Sequence, residues 1–316
     1  MTPISATPRI GLALGSGSAR GWAHIGAIRA LHEMGIHPHI VAGCSIGALV
    51  GGAYAGGYLE RLEAWVQSLT WREVLRFMDP GISGGGMFAG DRLVDFFKSR
   101  IGEPNIESFP LPFGAVATDM LTGREVWLRQ GPVIDAVRAS IALPGIFRPH
   151  CVDNRWLIDG GVVNPVPVSL CKAMGAEVVI AVNLNGDIVG RAFAPHQLPK
   201  KVEEARDFWD KVADRFPFLR GSEEESSSKA KSKAKAKDCG IPAPGLFDVM
   251  AGSLNIMQER ITNSRMAGDP PDVIVTPRLA HIGLMEFDRA EEAMAEGHEA
   301  VVRVASAIRD AVGLTA

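Results

Sequence analysis

Residues 40–59 read IVAGCSIGALVGGAYAGGYL, twenty residues without a charged side chain. A stretch of that length is long enough to span a bilayer, but six of its residues are glycines and a turn motif begins at Gly43. The apolar run before Gly43 predicts a buried strand, and the run that begins at Ile46 predicts a helix. We therefore interpret the segment as a strand, a sharp turn and a helix rather than as a transmembrane span.

The residues before this segment repeat the same order. Residues 9–14 (RIGLAL) predict a short buried strand, and a Gly/Ser loop occupies residues 15–21. Apolar residues at every third position from Trp22 to Met34 then predict a helix. Two strand–turn–helix units in succession predict an α/β fold, with three α/β/α layers around a mostly parallel sheet.

The rest of the chain continues this alternation more loosely. One helix is predicted over residues 59–77, and Asp288 with Glu291 predicts a capping box for a final helix that ends near Val312. Further strands are predicted over residues 113–118, 125–128, 156–158, 177–184 and 272–276.

Composition narrows the class of protein. Of the 316 residues, 47% are hydrophobic and 22% are charged, as in soluble globular proteins, and the net charge of −3 gives no sign of a nucleic-acid binder. Four cysteines without a C-x-x-C pair argue against a disulfide scaffold or a structural zinc site. Residues 1–9 lack a basic region followed by a long apolar run, so no signal peptide is expected and a cytoplasmic location is favoured.

One segment differs from the rest in composition. Residues 223–237 (EEESSSKAKSKAKAK) contain too few large apolar side chains to offset the entropy of ordering the chain. The predicted organisation is a catalytic core over residues 8–216, a disordered low-complexity insert over 217–245, and a helix–strand–helix over 246–314 that completes the core. The lysines of the insert are interpreted as a solvated linker, with a phosphate or anionic-lipid contact as the alternative.

The turn inside residues 40–59 has a chemical signature. Gly43-Cys44-Ser45-Ile46-Gly47 matches G-x-S-x-G between a predicted strand and a predicted helix, which is the context of a nucleophile elbow. The glycines leave room for the sharp turn, and the helix N-terminus favours developing negative charge. Ser45 is therefore the predicted nucleophile and Cys44 is expected to pack in the core. A simple tight turn is the alternative.

The Gly/Ser loop exposes backbone N–H groups that can bind an anion. It lacks the third glycine of a dinucleotide-binding loop, because Arg20 stands there, and it lacks the Lys-Ser/Thr of a phosphate-binding loop. An oxyanion hole is the remaining use, and an ordinary Gly/Ser turn between strand and helix is the alternative. Arg20 either pins the loop or attracts an anionic head group. The predicted oxyanion and substrate-binding residues are Ser16, Gly17, Ser18, Arg20 and Gly21.

A serine nucleophile needs a base. Of the eight histidines, only His150 and His281 lie in loop-like settings suited to that role. Asp159 is the better candidate, because it ends an apolar strand and the glycines at 160 and 161 let the chain turn away from it. An aspartate that merely starts a turn is the alternative.

Together these segments resemble the bacterial patatin-like phospholipases. That family has a glycine-rich oxyanion loop ending in Arg/Lys-Gly, an early G-x-S-x-G elbow, and a D-G-[GA] base in a Ser-Asp dyad without histidine. The similarity covers roughly residues 10–184, and it includes Arg138-Ala139-Ser140 and Asn164-Pro165. One departure is that the family's three glycines are Ser16, Gly17 and Ser18 here. A serine donates the same N–H only where its backbone needs no positive φ.

The resemblance implies a serine hydrolase that cleaves carboxylic esters of lipids, with Ser45 as nucleophile and Asp159 as proton acceptor. It further implies Gly43, Gly47, Gly160 and Gly161 as the glycines of the elbow and base turns, an acyl-enzyme intermediate, and no metal or cofactor. A lipid or ester substrate is expected, with a transient contact at the inner membrane surface and no nucleic acid partner; the oligomeric state is left open.

Two alternatives remain from the sequence. One is a conventional Ser-His-Asp esterase that uses His281, and the other is a regulatory protein on the same fold with little catalysis. A carboxylate base has an intrinsic pKa near 3.9, so burial and the loss of water must raise its basicity. The dyad then predicts activity that persists at pH 5–6, where an imidazole base would be protonated.

Overall fold

The computed structural model describes residues 8–77, 79, 86–188 and 246–314. Contacts divide the chain into one unit of Met1–Ala192 with Asn255–Ala316 and a second unit of Phe193–Leu254. In the second unit only the first turns of a helix that begins at Leu246 are described. The predicted low-complexity insert lies outside the described residues, and the predicted domain boundaries stay a prediction.

The first unit is built on an eight-stranded sheet. Its strands are β1 (Ile10–Leu14), β2 (Ile40–Cys44), β4 (Phe113–Asp119), β5 (Glu125–Leu128), β7 (His150–Val152), β8 (Arg155–Asp159), β9 (Val178–Val182) and β10 (Val273–Val275). Their order is β10-β9-β1-β2-β4-β8-β7, with β5 paired to β4. From β10 to β4 all neighbours are parallel, whereas β5, β7 and β8 join by antiparallel pairs. Two short strands, β3 (Gly86–Phe88) and β6 (Gly145–Phe147), form a separate parallel pair.

Helices cover both faces of this sheet, and the predicted α/β fold class is confirmed. The helices are α1 (Ala23–Glu33), α2 (Ile46–Ala55), α3 (Leu59–Gln67), α4 (Trp71–Phe77), α5 (Asp91–Ile101), α6 (Val133–Ser140), α7 (Val168–Ala173), α8 (Leu246–Gly268), α9 (Ala290–Arg303) and α10 (Ala305–Ala311), with 3-10 helices at Ser18–Trp22, Ile106–Ser108 and Gly160–Val162.

Successive side chains of β1 point to opposite faces of the sheet. Leu12 and Leu14 belong to the larger core with α1, α2, α6 and α9, and Ala13 belongs to a smaller core with α7. Two glycines let α1 and α9 pack backbone to backbone: a Cβ at Gly26 would lie 1.8 Å from the Met294 carbonyl oxygen, and one at Gly297 would lie 1.9 Å from that of α1's first residue.

The pairing of β4 positions the functional residues. β2 pairs with the first half of β4, up to Cys44 opposite Val116. β8 pairs with the second half, from Ala117 opposite Asp159, while β5 occupies the other edge of β4. β8 therefore lies on the same edge as β2, and the two strands end against each other. Because Ser45 directly follows Cys44, this register brings it to Asp159.

Several predicted boundaries were wrong. The helix predicted over residues 59–77 is two helices, because Thr70 and Glu73 form a capping box that starts α4: the Thr70 N–H donates to Glu73 Oε2 at 2.8 Å, and the Glu73 N–H to Thr70 Oγ1 at 3.4 Å. The capping box predicted at Asp288 is absent, since α9 begins at Ala290 without a side-chain cap. The three-residue strands β3, β6 and β7 were missed because they are too short to show a period.

Candidate active site

Ser45 lies in the turn between β2 and α2 with φ +54° and ψ −124°, a left-handed conformation that is rare for a residue with a side chain. Its backbone N–H donates to Ser140 Oγ at 2.8 Å, and Ser140 Oγ donates to the Val116 carbonyl at 2.6 Å. The hydroxyl of Ser140 on α6 thus ties the turn to β4. The sequence included Ser140 only within a family motif, without a role.

The glycines of the motif have the steric function that the sequence predicts for them. A Cβ at Gly43 would lie 2.3 Å from the Gly47 carbonyl oxygen, and a Cβ at Gly47 would lie 2.2 Å from that of Leu14. Cys44 is fully buried in the core beside α7, as expected of a packing residue. Burial raises the pKa of its thiol well above the usual value.

Asp159 meets Ser45 directly. Ser45 Oγ donates to Asp159 Oδ2 at 2.5 Å, and the Gly161 N–H donates to Oδ1 at 2.7 Å. The side chain is buried, with 1% of its surface exposed. Gly160 is required by close approach, because a Cβ there would lie 2.2 Å from the carbonyl oxygen of Val116.

The environment of Asp159 changes its acidity. Burial raises the pKa of the carboxyl to about 6, although the hydrogen bonds from Ser45 and Gly161 act in the opposite direction. Burial was expected from the sequence to raise the basicity of this carboxyl, and the direction of the shift agrees. A pKa of about 6, however, leaves much of the carboxyl protonated over the range of pH 5–6 in which activity was expected. Half of the carboxyl groups are protonated near pH 6, where an ordinary imidazole with a pKa near 6.5 would be about three-quarters protonated.

Some backbone N–H groups of the Gly/Ser loop are already hydrogen-bonded, and others have no acceptor in the described part of the chain. The Ser16 N–H donates to the Pro165 carbonyl at 2.8 Å, and the Ala19 N–H donates to the Leu284 carbonyl at 3.1 Å. Within the described residues, the N–H groups of Gly17 and Ser18 donate no hydrogen bond. Of the predicted oxyanion residues, these two keep an N–H without a partner among the described residues: the N–H of Ser16 is already used, that of Arg20 donates to the Gly17 carbonyl at 3.3 Å, and Gly21 lies inside the 3-10 helix Ser18–Trp22.

The sequence analysis set the condition that Ser16 and Ser18 should not need a positive φ, and only Ser16 meets it. Ser18 has φ +53°, in the left-handed region, whereas Ser16 has no positive φ. The left-handed conformation costs a residue with a Cβ about 1–2 kcal/mol. Ser18 therefore keeps its N–H donor at this cost, at a position where the resembled family has a glycine.

Arg20 pins the loop. Its side chain is buried, with Nε donating to the Gly17 carbonyl at 3.1 Å and Nη2 donating to Asn255 Oδ1 at 2.8 Å. Burial lowers the pKa of this guanidinium to about 10. Of the two roles that the sequence left open, these contacts favour the structural one over attraction of a head group.

The loop packs against both the elbow and the base turn. A Cβ at Gly21 would lie 2.2 Å from Ile46 Cγ1, and a Cβ at Gly161 would lie 2.9 Å from Ser16 Oγ. The nucleophile candidate, the base candidate and the N–H groups without a partner in the described residues therefore lie close together, at the carboxyl ends of β1, β2 and β8.

Sequence reasoning missed the residues that support this loop. Ser16 Oγ donates to Gln258 Oε1 at 2.9 Å, and Asn185 Nδ2 donates to the same oxygen at 3.0 Å. His24 Nε2 lies 2.7 Å from the Gly15 carbonyl oxygen, and burial lowers the pKa of this imidazole to about 4, so it is neutral and donates. Gln258 stands 242 residues from Ser16, so no local pattern could have found it.

The histidines considered as bases lie elsewhere. His281 pairs with Glu292 at 2.7 Å, and His150 pairs with Asp135 at 3.0 Å. No histidine in the described part of the chain hydrogen-bonds Ser45. Across residues 8–77, 79, 86–188 and 246–314, no group of three metal-ligating side chains is placed to hold an ion, and no helix is long and apolar enough to cross a membrane.

Comparison with known proteins gives a consistent set of similarities. The family model for patatin-like phospholipases matches residues 12–172. An uncharacterized NTE family protein of Mycobacterium tuberculosis is 37% identical over 93% of this chain and 90% of its own length. Lysophospholipase nte1 of Emericella nidulans is 36% identical over 55% of this chain and 12% of its own length. Patatin-like phospholipase domain-containing protein 7 of Rattus norvegicus is 35% identical over 55% of this chain and 13% of its own length.

Proposed function

The chain belongs to the patatin-like phospholipase family, and from this membership and the site geometry we propose that it hydrolyses lipid carboxylic esters through Ser45 and Asp159. The observation that carries the mechanism is the hydrogen bond of 2.5 Å from Ser45 Oγ to Asp159 Oδ2. It joins a hydroxyl on a strained turn to a buried carboxylate, which is the arrangement of a nucleophile and its base.

Acylation begins when Ser45 Oγ attacks the ester carbonyl carbon and its proton passes to Asp159 Oδ2. A carboxylate with a pKa raised to about 6 by burial is a better base than an exposed one and is still ionised at pH 7. The second oxygen, Oδ1, is held by the Gly161 N–H at 2.7 Å. This bond fixes the carboxylate plane, so that Oδ2 points to the hydroxyl.

The attacked carbonyl oxygen becomes negatively charged and needs hydrogen-bond donors. The N–H groups of Gly17 and Ser18 are the candidates, since neither has a partner within the described residues. Arg20 holds the Gly17 carbonyl at 3.1 Å, so the loop keeps its shape when charge develops. The tetrahedral intermediate then collapses, and Asp159 gives its proton to the departing alcohol.

Deacylation repeats these steps with water. Asp159 takes a proton from a water molecule, the hydroxyl attacks the acyl-enzyme carbonyl, and the proton returns to Ser45 as the carboxylic acid leaves. Because a relative at 36% identity is called a lysophospholipase, single-chain phospholipids are the substrates to test first. Such a substrate implies at least a transient contact of the enzyme with a membrane or micelle surface.

A fluorophosphonate probe tests the nucleophile. We expect the wild-type protein to be labelled at Ser45 and Ser45→Ala to remain unlabelled, as judged by gel fluorescence and peptide mass spectrometry. Labelling that survives the substitution would assign the nucleophile to another residue. A folded wild-type protein that neither reacts with the probe nor cleaves lysophosphatidylcholine would instead favour a regulatory role.

Asp159→Asn tests the base, because it keeps the shape of the side chain and removes the basic oxygen. Turnover should fall by about 10⁴-fold, the order that loss of the carboxylate costs in serine hydrolases. In the wild type, kcat/KM should halve near pH 6 and fall roughly tenfold per pH unit below it, since only the ionised carboxylate accepts a proton. His281→Ala and His150→Ala are the controls. Loss of activity in either of them, with an active Asp159→Asn, would favour a histidine base.

A further inference from the structure

The turn between β4 and β5 carries apolar side chains that the described part of the protein leaves uncovered. Leu121 has 82% of its surface exposed and Met120 has 54%, and Trp156 near the start of β8 has 53%. Single apolar residues scattered over a surface are ordinary. These three form a group, which we call the tip cluster, and the mechanism described above uses none of them.

The strand register places Met120 beside Trp156. β4 and β8 are antiparallel with Asp119 opposite Leu157, and the Met120 N–H donates to the Trp156 carbonyl at 2.9 Å. Residues directly opposite each other on antiparallel strands project their side chains from the same face of the sheet. Leu121 follows Met120 in the chain, so the tip cluster is one continuous apolar surface.

The turn that displays the tip cluster is held by its own hydrogen bonds. The N–H groups of Leu121 and Thr122 donate to Asp119 Oδ1 at 2.9 Å and 3.0 Å. Gly123, with φ +67°, donates its N–H to the Asp119 carbonyl at 2.8 Å. Leu121 is therefore exposed on an ordered turn, and a contact made there costs little further ordering of the chain.

The tip cluster lies at the same end of the sheet as the dyad. Ala117 of β4 is opposite Asp159, and Met120 comes three residues further along. At about 3.3 Å per residue, the tip extends about 10 Å beyond the level of Asp159. The Thr118 hydroxyl donates to the Asp159 carbonyl at 2.8 Å, so the hairpin is joined directly to the base.

Charge and size indicate what the tip cluster binds. Two arginines, Arg124 and Arg155, and two aspartates, Asp119 and Asp153, border it along the chain, so its charges balance and do not favour a highly charged partner. Even at about 250 Å² each, the upper value for an aromatic side chain, its three side chains offer less than the about 800 Å² that each partner of a standard protein complex buries. A lipid surface needs no such area, and it accepts tryptophan at its boundary with water and leucine in its hydrocarbon.

We propose that the tip cluster inserts into the lipid surface from which the substrate is taken, and that it docks the protein with the dyad facing that surface. This inference rests on the proposed hydrolase function, because a phospholipid substrate is presented in a membrane or micelle. Apolar side chains of interfacial segments lie about 5–10 Å deep, at the boundary of head groups and acyl chains. Insertion of a tip that extends about 10 Å beyond Asp159 brings the dyad to the level of the head groups.

Vesicle binding tests the docking surface without the chemistry. In the Ser45→Ala background, which leaves the lipid intact, co-sedimentation with phosphatidylcholine vesicles should show binding. Because the charges around the tip cluster balance, this binding should persist in about 0.5 M NaCl, which screens surface charges. Adding Leu121→Asp should lower the partition coefficient at least tenfold, since a buried leucine contributes at least that factor. The variant keeps the backbone N–H that bonds Asp119, so the turn still folds.

Leu314→Asp is the matched control. It makes the same change at another exposed leucine, which follows α10, and α10 contacts β10 at the edge of the sheet opposite β7. It should bind vesicles as the Ser45→Ala protein does. Equal binding by Leu121→Asp and Leu314→Asp would overturn the proposal. So would self-association that Leu121→Asp abolishes in a protein that binds no vesicles, which would assign the tip cluster to a second copy of the chain.

Trp156 gives a direct signal of insertion. With phosphatidylcholine vesicles, the tryptophan emission of the Ser45→Ala protein should shift to shorter wavelength, and lipids with brominated acyl chains should quench it. The chain has six tryptophans, so Trp156→Phe identifies the one that reports, and it should remove most of the quenching. Quenching that persists in Trp156→Phe would place the inserted residues elsewhere and overturn the proposal.

Kinetics separate this inference from the proposed function. With Ser45 intact, the ratio of kcat/KM for lysophosphatidylcholine in vesicles over that for soluble p-nitrophenyl acetate should fall at least tenfold in Leu121→Asp and stay unchanged in Leu314→Asp. An unchanged ratio in Leu121→Asp would overturn the docking surface and leave the dyad intact. Vesicle binding that depends on Leu121, in a protein that cleaves neither ester, would overturn the proposed function alone.

Discussion

Two neighbouring parallel strands of this sheet are followed by turns that each contain a serine with a positive φ, and the two turns use this conformation for different purposes. After β1, Ser18 has φ +53°, and after β2, Ser45 has φ +54°. The elbow presents a hydroxyl to a carboxylate at 2.5 Å, whereas the loop presents a backbone N–H without a partner in the described residues. A strained serine thus exposes a side chain in one turn and a main-chain donor in the other.

The turns differ most in what holds them. The elbow is fixed by its own glycines, which contact each other and β1, and by Ser140. The loop is fixed from far along the chain, by Gln258 and Asn255 on α8. The elbow therefore depends on a close steric fit that the glycines of its own motif supply, with one hydrogen bond from 95 residues away. The loop has no such motif and depends on side chains of α8.

The largest effect is expected at the elbow, from Gly47→Ala. The new Cβ would lie 2.2 Å from the Leu14 carbonyl oxygen and 2.7 Å from that of Gly15. Both are backbone atoms of a buried strand end and cannot move cheaply, so the free energy of unfolding should fall by about 4 kcal/mol or more. Urea denaturation measures this loss, and a failure to fold would count as the same result.

Gly52→Ala is the matched control on the same helix. Its Cβ would meet side chains of Phe113 and Val133 at 3.4 Å, which is ordinary contact, and alanine gains about 1 kcal/mol over glycine in a helix interior. This variant should be at least as stable as the wild type. Equal destabilisation of both variants would mean that any side chain in this part of α2 is harmful, and the specific fit of the elbow would be refuted.

This difference in support explains how much of the site could be predicted from sequence. G-x-S-x-G states its own steric requirement, so Ser45 and its glycines were found together with the strand and helix around them. Asp159 was found because two glycines follow an apolar strand. That burial raises its basicity was expected as well, but the degree of that burial, 1% exposure, results from packing that no local pattern records.

The loop shows where sequence reasoning ends. Its composition predicted exposed N–H groups, but not that Ser16 would use its own on Pro165 or that Ser18 would adopt a positive φ. The supporting Gln258 lies on α8, a segment for which the sequence predicted a helix and no contact with the loop. Which backbone N–H groups of the loop are left without a partner in the described residues is decided by contacts across the whole first unit.

A smaller effect is expected from removing the distant support of the loop. Gln258→Met keeps the length of the side chain and leaves Ser16 Oγ and Asn185 Nδ2 without their acceptor. Unsatisfied buried donors cost about 1–3 kcal/mol, so the free energy of unfolding should fall by that amount. The rate of fluorophosphonate labelling at Ser45 should fall about tenfold, because the donors of Gly17 and Ser18 lose their alignment.

The neighbouring exposed position supplies the control for that variant. Met257→Gln changes a side chain with 54% of its surface exposed and should leave both quantities unchanged. A Gln258→Met protein with wild-type stability and labelling would show that the loop is as locally determined as the elbow, and the contrast between the two turns would disappear.

The smallest effect is expected at Ser18, and it is a stabilising one. Ser18→Gly removes the cost of about 1–2 kcal/mol that a Cβ incurs at φ +53°, and it adds the entropy of a freer unfolded chain, which costs about 0.5–1 kcal/mol. The net gain in the free energy of unfolding should lie between zero and about 1.5 kcal/mol. Ser16→Gly is the counterpart two residues earlier. It relieves no strain and loses the hydrogen bond to Gln258, so it should destabilise by about 1–2 kcal/mol. Urea unfolding of the two variants side by side tests the sign of each change. If Ser18→Gly were destabilised as much as Ser16→Gly, the positive φ of Ser18 would carry no strain. The loop and the elbow would then not both contain a strained serine.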